Sequence, residues 1–232
     1  CVYCYAPIVA RRWRHRAGEA VQVKANAVQV ARRQLSSLRR GEVILSSQTD
    51  PYQPAEEKYE LTKKLLAELL HHGFSVSVLT KSDLVLRDAD LLARFPRNRI
   101  KVGMSVATTD EDIREALEPG APSLARRLEA LRALRQKGIR TWAFFAPLLP
   151  GTTGPESREL IGELDGLVDS ILVDRLNYRT HTWPAVRAAI VARGRSWATG
   201  EAEHPDGHYR QLTEIIKNTC KTRDLPVMCC HV

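Results

Sequence analysis

The feature that most constrains this chain is a repeated alternation of short β-like runs with helical stretches, each strand end followed by a polar, turn-rich segment. Val43-Ile44-Leu45 leads into Ser46-Ser47-Gln48-Thr49-Asp50. A helical stretch follows from about Ala55 to His72, with Leu61, Leu65, Leu66, Leu69 and Leu70 at helical spacing and Gly73 as a C-cap candidate. Phe74 to Leu79 reads as a strand, Asp88 to Phe95 as a short helix, and Arg99 to Val106 as a strand. Thr108 to Leu117 and Pro122 to Lys137 read as helices, and Ile139 to Ala146 as a strand. Glu156 to Leu164 is a helix and Asp169 to Val173 a strand. Upstream, Asn26 can cap a helix running to about Leu38, and Val21-Gln22-Val23 can form a small strand. Such alternation favours a parallel sheet with helices outside it, and five β/α steps are visible. After about Asn177 the pattern changes: Trp183 to Arg193 and His208 to Cys220 read as helices. The expectation is a core over 1–177 and a C-terminal helical appendage over 178–232, packed on that core.

At 232 residues, 44% of them hydrophobic, the chain can bury one sizeable core. It has no apolar run of about 18 residues, so no membrane span is expected. The net charge of +8 suits a polyanionic partner such as nucleic acid, and equally a solvated basic surface. Arg11-Arg12-Trp13-Arg14-His15-Arg16 can track a phosphate backbone and stack on a base, or be a charged loop. Five cysteines, an odd number, do not resemble a secreted disulfide framework, and a reducing cytoplasm is the expected compartment.

The first six residues are Cys1-Val2-Tyr3-Cys4-Tyr5-Ala6. A bare C-x-x-C fits a redox dithiol, a zinc site or an iron–sulfur site. No second C-x-x-C or Cys/His pair lies at ordinary zinc-finger spacing. With Tyr3 just before Cys4, the segment resembles the last two-thirds of the C-x3-C-x-aromatic-C loop of radical S-adenosylmethionine (radical SAM) enzymes. The first cluster cysteine of that loop falls four positions before Cys1, so the chain reads as beginning inside its own cofactor loop, with one strand lost ahead of it. The fold the resemblance implies is an α/β partial (β/α)6 TIM-like barrel.

Further motifs fall at successive strand ends, where barrel enzymes place their chemistry. Ser46 to Glu56 is similar to the strand-two motif of the spore photoproduct lyase-like branch, which has Ser/Thr-Asp-Pro where most radical SAM enzymes have Gly-Gly-Glu. The resemblance implies that Thr49 and Asp50 accept from the cofactor's ammonium group. Asp50 can also be an N-cap with Pro51 at the first helical position. In true lyases a cysteine of this motif donates hydrogen to a substrate radical; Ser47 stands there, a far poorer donor. Lys81 is implied to pair with the cofactor carboxylate, Ser105 with its ribose, and the backbone at Ala146 to Gly151 with adenine, near which Tyr3 packs. Ladder-end capping is the other reading of Ser105, and Thr109 or Asp110 can cap the next helix. Glu118 and Arg127 are expected as an ion pair ordering their loop, and the resemblance also lets Arg127 reach the cofactor carboxylate. Asp174 and Asn177 are substrate-side candidates by position.

The resemblance therefore implies Cys1 and Cys4 as ligands of a 4Fe–4S cluster, S-adenosylmethionine as cofactor, and its reductive cleavage followed by hydrogen abstraction. A flavodoxin or ferredoxin is the implied electron donor, and nucleic acid the leading substrate class. No catalytic side chain is assigned. The rivals are a non-catalytic nucleic-acid-binding protein whose cysteines hold zinc, and a thiol–disulfide oxidoreductase using Cys1 and Cys4. Cys220, Cys229, Cys230 and His231 suit an auxiliary cluster, a metal clip, a hydrogen-donating thiol or plain buried cysteines. His71-His72 reads as surface, and the spacing of His204 and His208 is weak evidence for a metal.

Overall fold

The computed structural model describes residues 1–4, 22–45, 49–176, 182–195 and 205–230. Val21, Ser47, Asn177, His204, His231 and the Arg11–Arg16 stretch, singled out above, lie outside the described residues. The described elements run α1 (Ala27–Leu35), β1 (Glu42–Leu45), α2 (Ala55–Tyr59), α3 (Leu61–His71), β2 (Ser75–Thr80), α4 (Ala89–Leu92) and β3 (Ile100–Val106). They continue with α5 (Glu111–Leu117), α6 (Leu124–Gln136), β4 (Arg140–Leu148), α7 (Gly154–Leu164), β5 (Ile171–Arg175), α8 (Trp183–Val191), α9 (Pro205–Lys221) and β6 (Val227–Cys230). The strands form one six-stranded sheet in the order β1-β2-β3-β4-β5-β6. β1–β2, β2–β3, β4–β5 and β5–β6 pair in parallel. Strands with helices on their connections are buried on both faces, which is why β3 reads as a nearly unbroken apolar run with only Lys101 half-exposed.

The chain divides into two compact units, one of residues 5–104 and 130–141, the other of 1–4, 105–129 and 142–232. In the former, Leu66 and Leu69 of α3, Val76 and Val78 of β2, and Val102 and Met104 of β3 are all buried. α1 packs on α3, and Arg32 reaches Glu68 across them at 3.0 Å through Nε. Gly73 ends α3 as the sequence suggests: its φ is +72°, and Phe74 N–H donates back to Leu69 O at 3.0 Å. Gly138 closes α6 the same way, with Ile139 N–H on Leu134 O at 3.2 Å.

In the other unit, Ile113, Leu117, Leu149, Leu176, Val186 and Ile190 form one buried cluster. α9 packs on α7. A capping box starts α7: Thr153 Oγ1 accepts from Glu156 N–H at 3.2 Å and Glu156 reaches back to Thr153 N–H. The second carboxylate oxygen, Oε1, accepts from Thr108 Oγ1 at 2.7 Å, which ties this helix start to the segment after β3.

The structure differs from the sequence reading in three places. The helix expected over Ala55–His72 breaks at Glu60, whose φ of +49° is left-handed. The new helix start at Leu61 is stabilised by the buried Glu56 carboxylate, which accepts from Thr62 N–H at 2.9 Å and Lys63 N–H at 3.3 Å. Residues 22–24 are irregular, where Val21–Val23 was expected to form a strand. The tail, expected to be helical, also contributes β6 to the sheet; four residues are too few to carry a period that separates strand from loop.

Candidate functional site

Cys1 and Cys4, neither of them in a disulfide, lie on one tight turn, closed by Cys4 N–H donating to Cys1 O at 3.3 Å. Cys1 is exposed and Cys4 partly so. The two residues between them are both held by the end of α5. Val2 N–H donates to Leu117 O at 2.7 Å, and the Tyr3 hydroxyl donates to Glu118 Oε1. Val2 and Tyr3 also pack against the apolar cluster of α5 and α8. Burial pushes the Tyr3 phenol pKa well up, and the adjacent Glu118 charge raises it further, so Tyr3 stays a donor. The aromatic expected near adenine is thus anchored at its hydroxyl end.

Glu118 and Arg127 form the expected ion pair, and both side chains are only 2% exposed. Arg127 Nη2 donates to Glu118 Oε2, Nη1 to Ser105 O at 2.8 Å, and Nε to Pro122 O at 2.9 Å. One guanidinium therefore joins the end of β3, the loop after α5 and the start of α6. Ser105 is buried at that strand end. Asp110, not Thr109, caps α5, accepting from Asp112 N–H at 3.0 Å and Ile113 N–H at 3.1 Å. Ala146 is buried in β4, where the register against β5 shifts between Phe145 and Leu148. Leu148 O at the strand end accepts from Tyr209 Oη at 3.1 Å and from Leu176 N–H at 3.2 Å.

In the unit of residues 5–104 and 130–141, Asp50 pins the end of β2. Its Oδ1 accepts from Tyr52 N–H at 2.9 Å and Thr80 Oγ1 at 2.6 Å, and its Oδ2 from Lys81 N–H at 2.8 Å. Thr80 Oγ1 in turn accepts from Ser82 N–H at 2.9 Å. Thr49 is exposed beside it. Pro51 O receives Thr62 Oγ1 at 2.6 Å, so the turn is tied to α3 as well.

A polar cluster beneath this turn has no counterpart in the sequence reading. Arg87 binds Asp88 through Nε and Nη2, each at 2.8 Å, and Glu56 through Nη2 at 3.1 Å and through Nη1 to its carbonyl at 2.8 Å. The hydrogen bonds to Asp88, foremost, hold the guanidinium protonated and raise its pKa. Tyr52 is 1% exposed, and burial first, then Asp88, raises its phenol pKa. The adjacent charges of Arg87-Asp88 were the only sequence sign of this network.

Cys220 is buried on α9, and burial, then Cys229, pushes its thiol up to about 11. Burial raises Cys229 and Cys230 too, with Asp174 adding to the rise at Cys230. Such thiols stay protonated at neutral pH and are poor nucleophiles. Among the described residues no group of three or more His, Cys, Asp or Glu side chains is arranged to hold a metal ion. Among them, too, no helix is long and apolar enough to cross a membrane.

A family model described as the radical SAM superfamily matches residues 1–164. An uncharacterised protein of Methanocaldococcus jannaschii is 32% identical over 180 residues, 77% of this chain and 66% of that protein. A radical SAM Nα-GlyT isomerase of Pseudomonas phage M6 is 26% identical over 185 residues, 79% of this chain and 38% of that protein. The chain thus spans two-thirds or less of the length of these relatives. A spore photoproduct lyase mutant with bound AdoMet and dinucleoside spore photoproduct superposes with a TM-score of 0.71 at 14% identity, over 99% of this chain and 72% of that one. That likeness carries the fold, an α/β partial TIM-like barrel of six parallel strands.

Proposed function

The chain belongs to the radical SAM superfamily, and from that premise we propose that it cleaves S-adenosylmethionine reductively and abstracts hydrogen from a nucleic-acid substrate. The observation that carries the reading is the single turn presenting Cys1 and Cys4, inside the family match. Sulfur donors on one turn suit the 4Fe–4S cluster that members of this superfamily bind together with S-adenosylmethionine. When bound, the cluster supplies the electron that breaks a carbon–sulfur bond of S-adenosylmethionine and releases a 5′-deoxyadenosyl radical.

The chain's own residues have the remaining work. Cys1 and Cys4 hold iron. Thr49, Asp50 and Lys81 take the amino-acid end of S-adenosylmethionine, and Tyr3, Ser105 and the backbone at Ala146 its nucleoside end. Asp50 already accepts three hydrogen bonds, and a carboxylate has about four acceptor sites, so one remains for an ammonium donor. Its hold on Lys81 N–H fixes the backbone that carries the lysine. Orientation and exclusion of water are the protein's contribution to such chemistry.

Two observations favour nucleic acid as the substrate class. The net charge is +8. A structural neighbour holds a dinucleoside photoproduct. The serine at position 47 separates the final hydrogen transfer from that of the lyase, because O–H is a poor hydrogen-atom donor. A flavodoxin or ferredoxin would supply the electron.

The test uses the full-length polypeptide purified without oxygen. Iron and sulfide are assayed, then dithionite and S-adenosylmethionine are added and 5′-deoxyadenosine is sought by mass spectrometry. Bound iron and release of the nucleoside are expected. Iron without cleavage would overturn the reading, and zinc in place of iron would overturn it in favour of a zinc-containing nucleic-acid-binding protein.

A further inference from the structure

Cys1 and Cys4 are separated by two residues, and each of those is bonded to one of two consecutive residues, Leu117 and Glu118. Tyr3 reaches Glu118 by its side chain, across 115 positions of sequence. Glu118 has its other oxygen on Arg127, and Arg127 has its remaining nitrogens on the carbonyls of Ser105 and Pro122. The cysteine turn is therefore not a free loop. It is fastened to a buried charge pair that is itself fastened to the end of β3.

A buried ion pair is a poor device for stability, since its desolvation rivals its attraction. Its best-attested use is to impose one geometry. Here the geometry imposed is that of the turn bearing the thiols. The pair also answers an electrostatic need. A lone carboxylate beside a thiolate-rich metal site adds negative charge and lowers the attraction of that site for an electron. Arg127 cancels the Glu118 charge while keeping both of its oxygens as acceptors.

We propose that Glu118 and Arg127 are positioning residues for the metal-binding turn, acting through Tyr3 to fix the Cys1 and Cys4 thiols and to keep the charge beside them neutral. This rests on the reading of Cys1 and Cys4 as cluster ligands. Partners one step removed from metal ligands typically change metal affinity by about 10–100-fold when lost, and that is the effect expected here.

The experiment uses the full-length protein, reconstituted without oxygen, as wild type and as Tyr3→Phe, Glu118→Gln and Arg127→Lys. Tyr3→Phe keeps the ring and removes only the hydroxyl. Glu118→Gln keeps shape and removes charge. Arg127→Lys keeps charge and removes the fork. Each is read by the rate of iron loss to a chelator, the electron paramagnetic resonance g values of the reduced cluster, its reduction potential, and the melting temperature. The expected result is iron loss about 10–100-fold faster, altered g values, and a shifted potential in Glu118→Gln. Glu115→Gln, on α5 and half exposed, should change none of them. The double variant Glu118→Gln/Arg127→Met leaves no unpaired buried charge, and it replaces any single variant that does not fold. A wild-type cluster whose chelation rate, g values and potential are indifferent to these changes overturns the clamp alone. A lowered melting temperature with an unchanged cluster does the same, because a merely structural pair would give that result. A wild-type protein with no cluster overturns both the clamp and the reading beneath it.

Discussion

Asp50 shows how much of one side chain the scaffold can use. Three of its acceptor sites are spent on Tyr52, Thr80 and Lys81, all near the ends of β1 and β2. Thr80→Val keeps the β-branched shape in the strand and deletes the hydroxyl's bond to the carboxylate together with the one it accepts from Ser82 N–H. A hydrogen bond to a charged group contributes about 1.5–3 kcal/mol, so the variant should lose at least that much in urea unfolding followed by circular dichroism. No loss would mean that the Asp50 carboxylate is held by the backbone donors alone. Sequence reading offered Asp50 as cofactor ligand or helix cap. Its acceptance from Thr80, 30 positions away, is a tertiary fact that no local pattern carries.

Most elements were legible because their hydrophobic period is long enough. α6 shows Leu128, Leu131 and Leu134 on one face and a left-handed Gly138 after it. The failures were short or broken elements. The leucine spacing from Leu61 to Leu70 lies wholly in α3 and says nothing of α2, and the break at Glu60 depends on where a single carboxylate sits. Glu56 is 6% exposed and holds both the start of α3 and Arg87. Removing one partner of a buried pair costs about 3–5 kcal/mol, and because Arg87 keeps Asp88 the lower end applies to Glu56→Ala. Thermal unfolding should show that loss, and hydrogen exchange should show the first turn of α3 losing protection ahead of its C-terminal end. Uniform protection along α3 would show that Glu56 does not cap it. The Glu118–Arg127 pair was foreseen from its motif, whereas its grip on Tyr3 was not: the motif gives residue types, and the distance between the cysteine turn and α5 exists only once the chain is folded.

For the whole molecule, the sheet takes its last strand from the tail, so β6 belongs with the strands it follows by many residues. The excess of 35 Lys and Arg over 27 Asp and Glu is the broadest property bearing on substrate. Part of it is committed internally, as in Arg127 with Glu118 and Arg87 with Asp88. The densest basic block in sequence is Arg11, Arg12, Arg14 and Arg16, just after the cysteines. If nucleic acid is the substrate, these arginines are the first candidates for its phosphates. Binding of a single-stranded oligonucleotide should then weaken linearly in log–log form with salt, by a slope of about −0.7 for each phosphate neutralised. Replacing all four by serine should reduce the slope by up to about 3 while leaving the iron content unchanged. A slope that survives the replacement moves the contact elsewhere on the basic surface. An affinity that ignores salt altogether removes the electrostatic argument for nucleic acid and returns the substrate question to the chemistry of the radical.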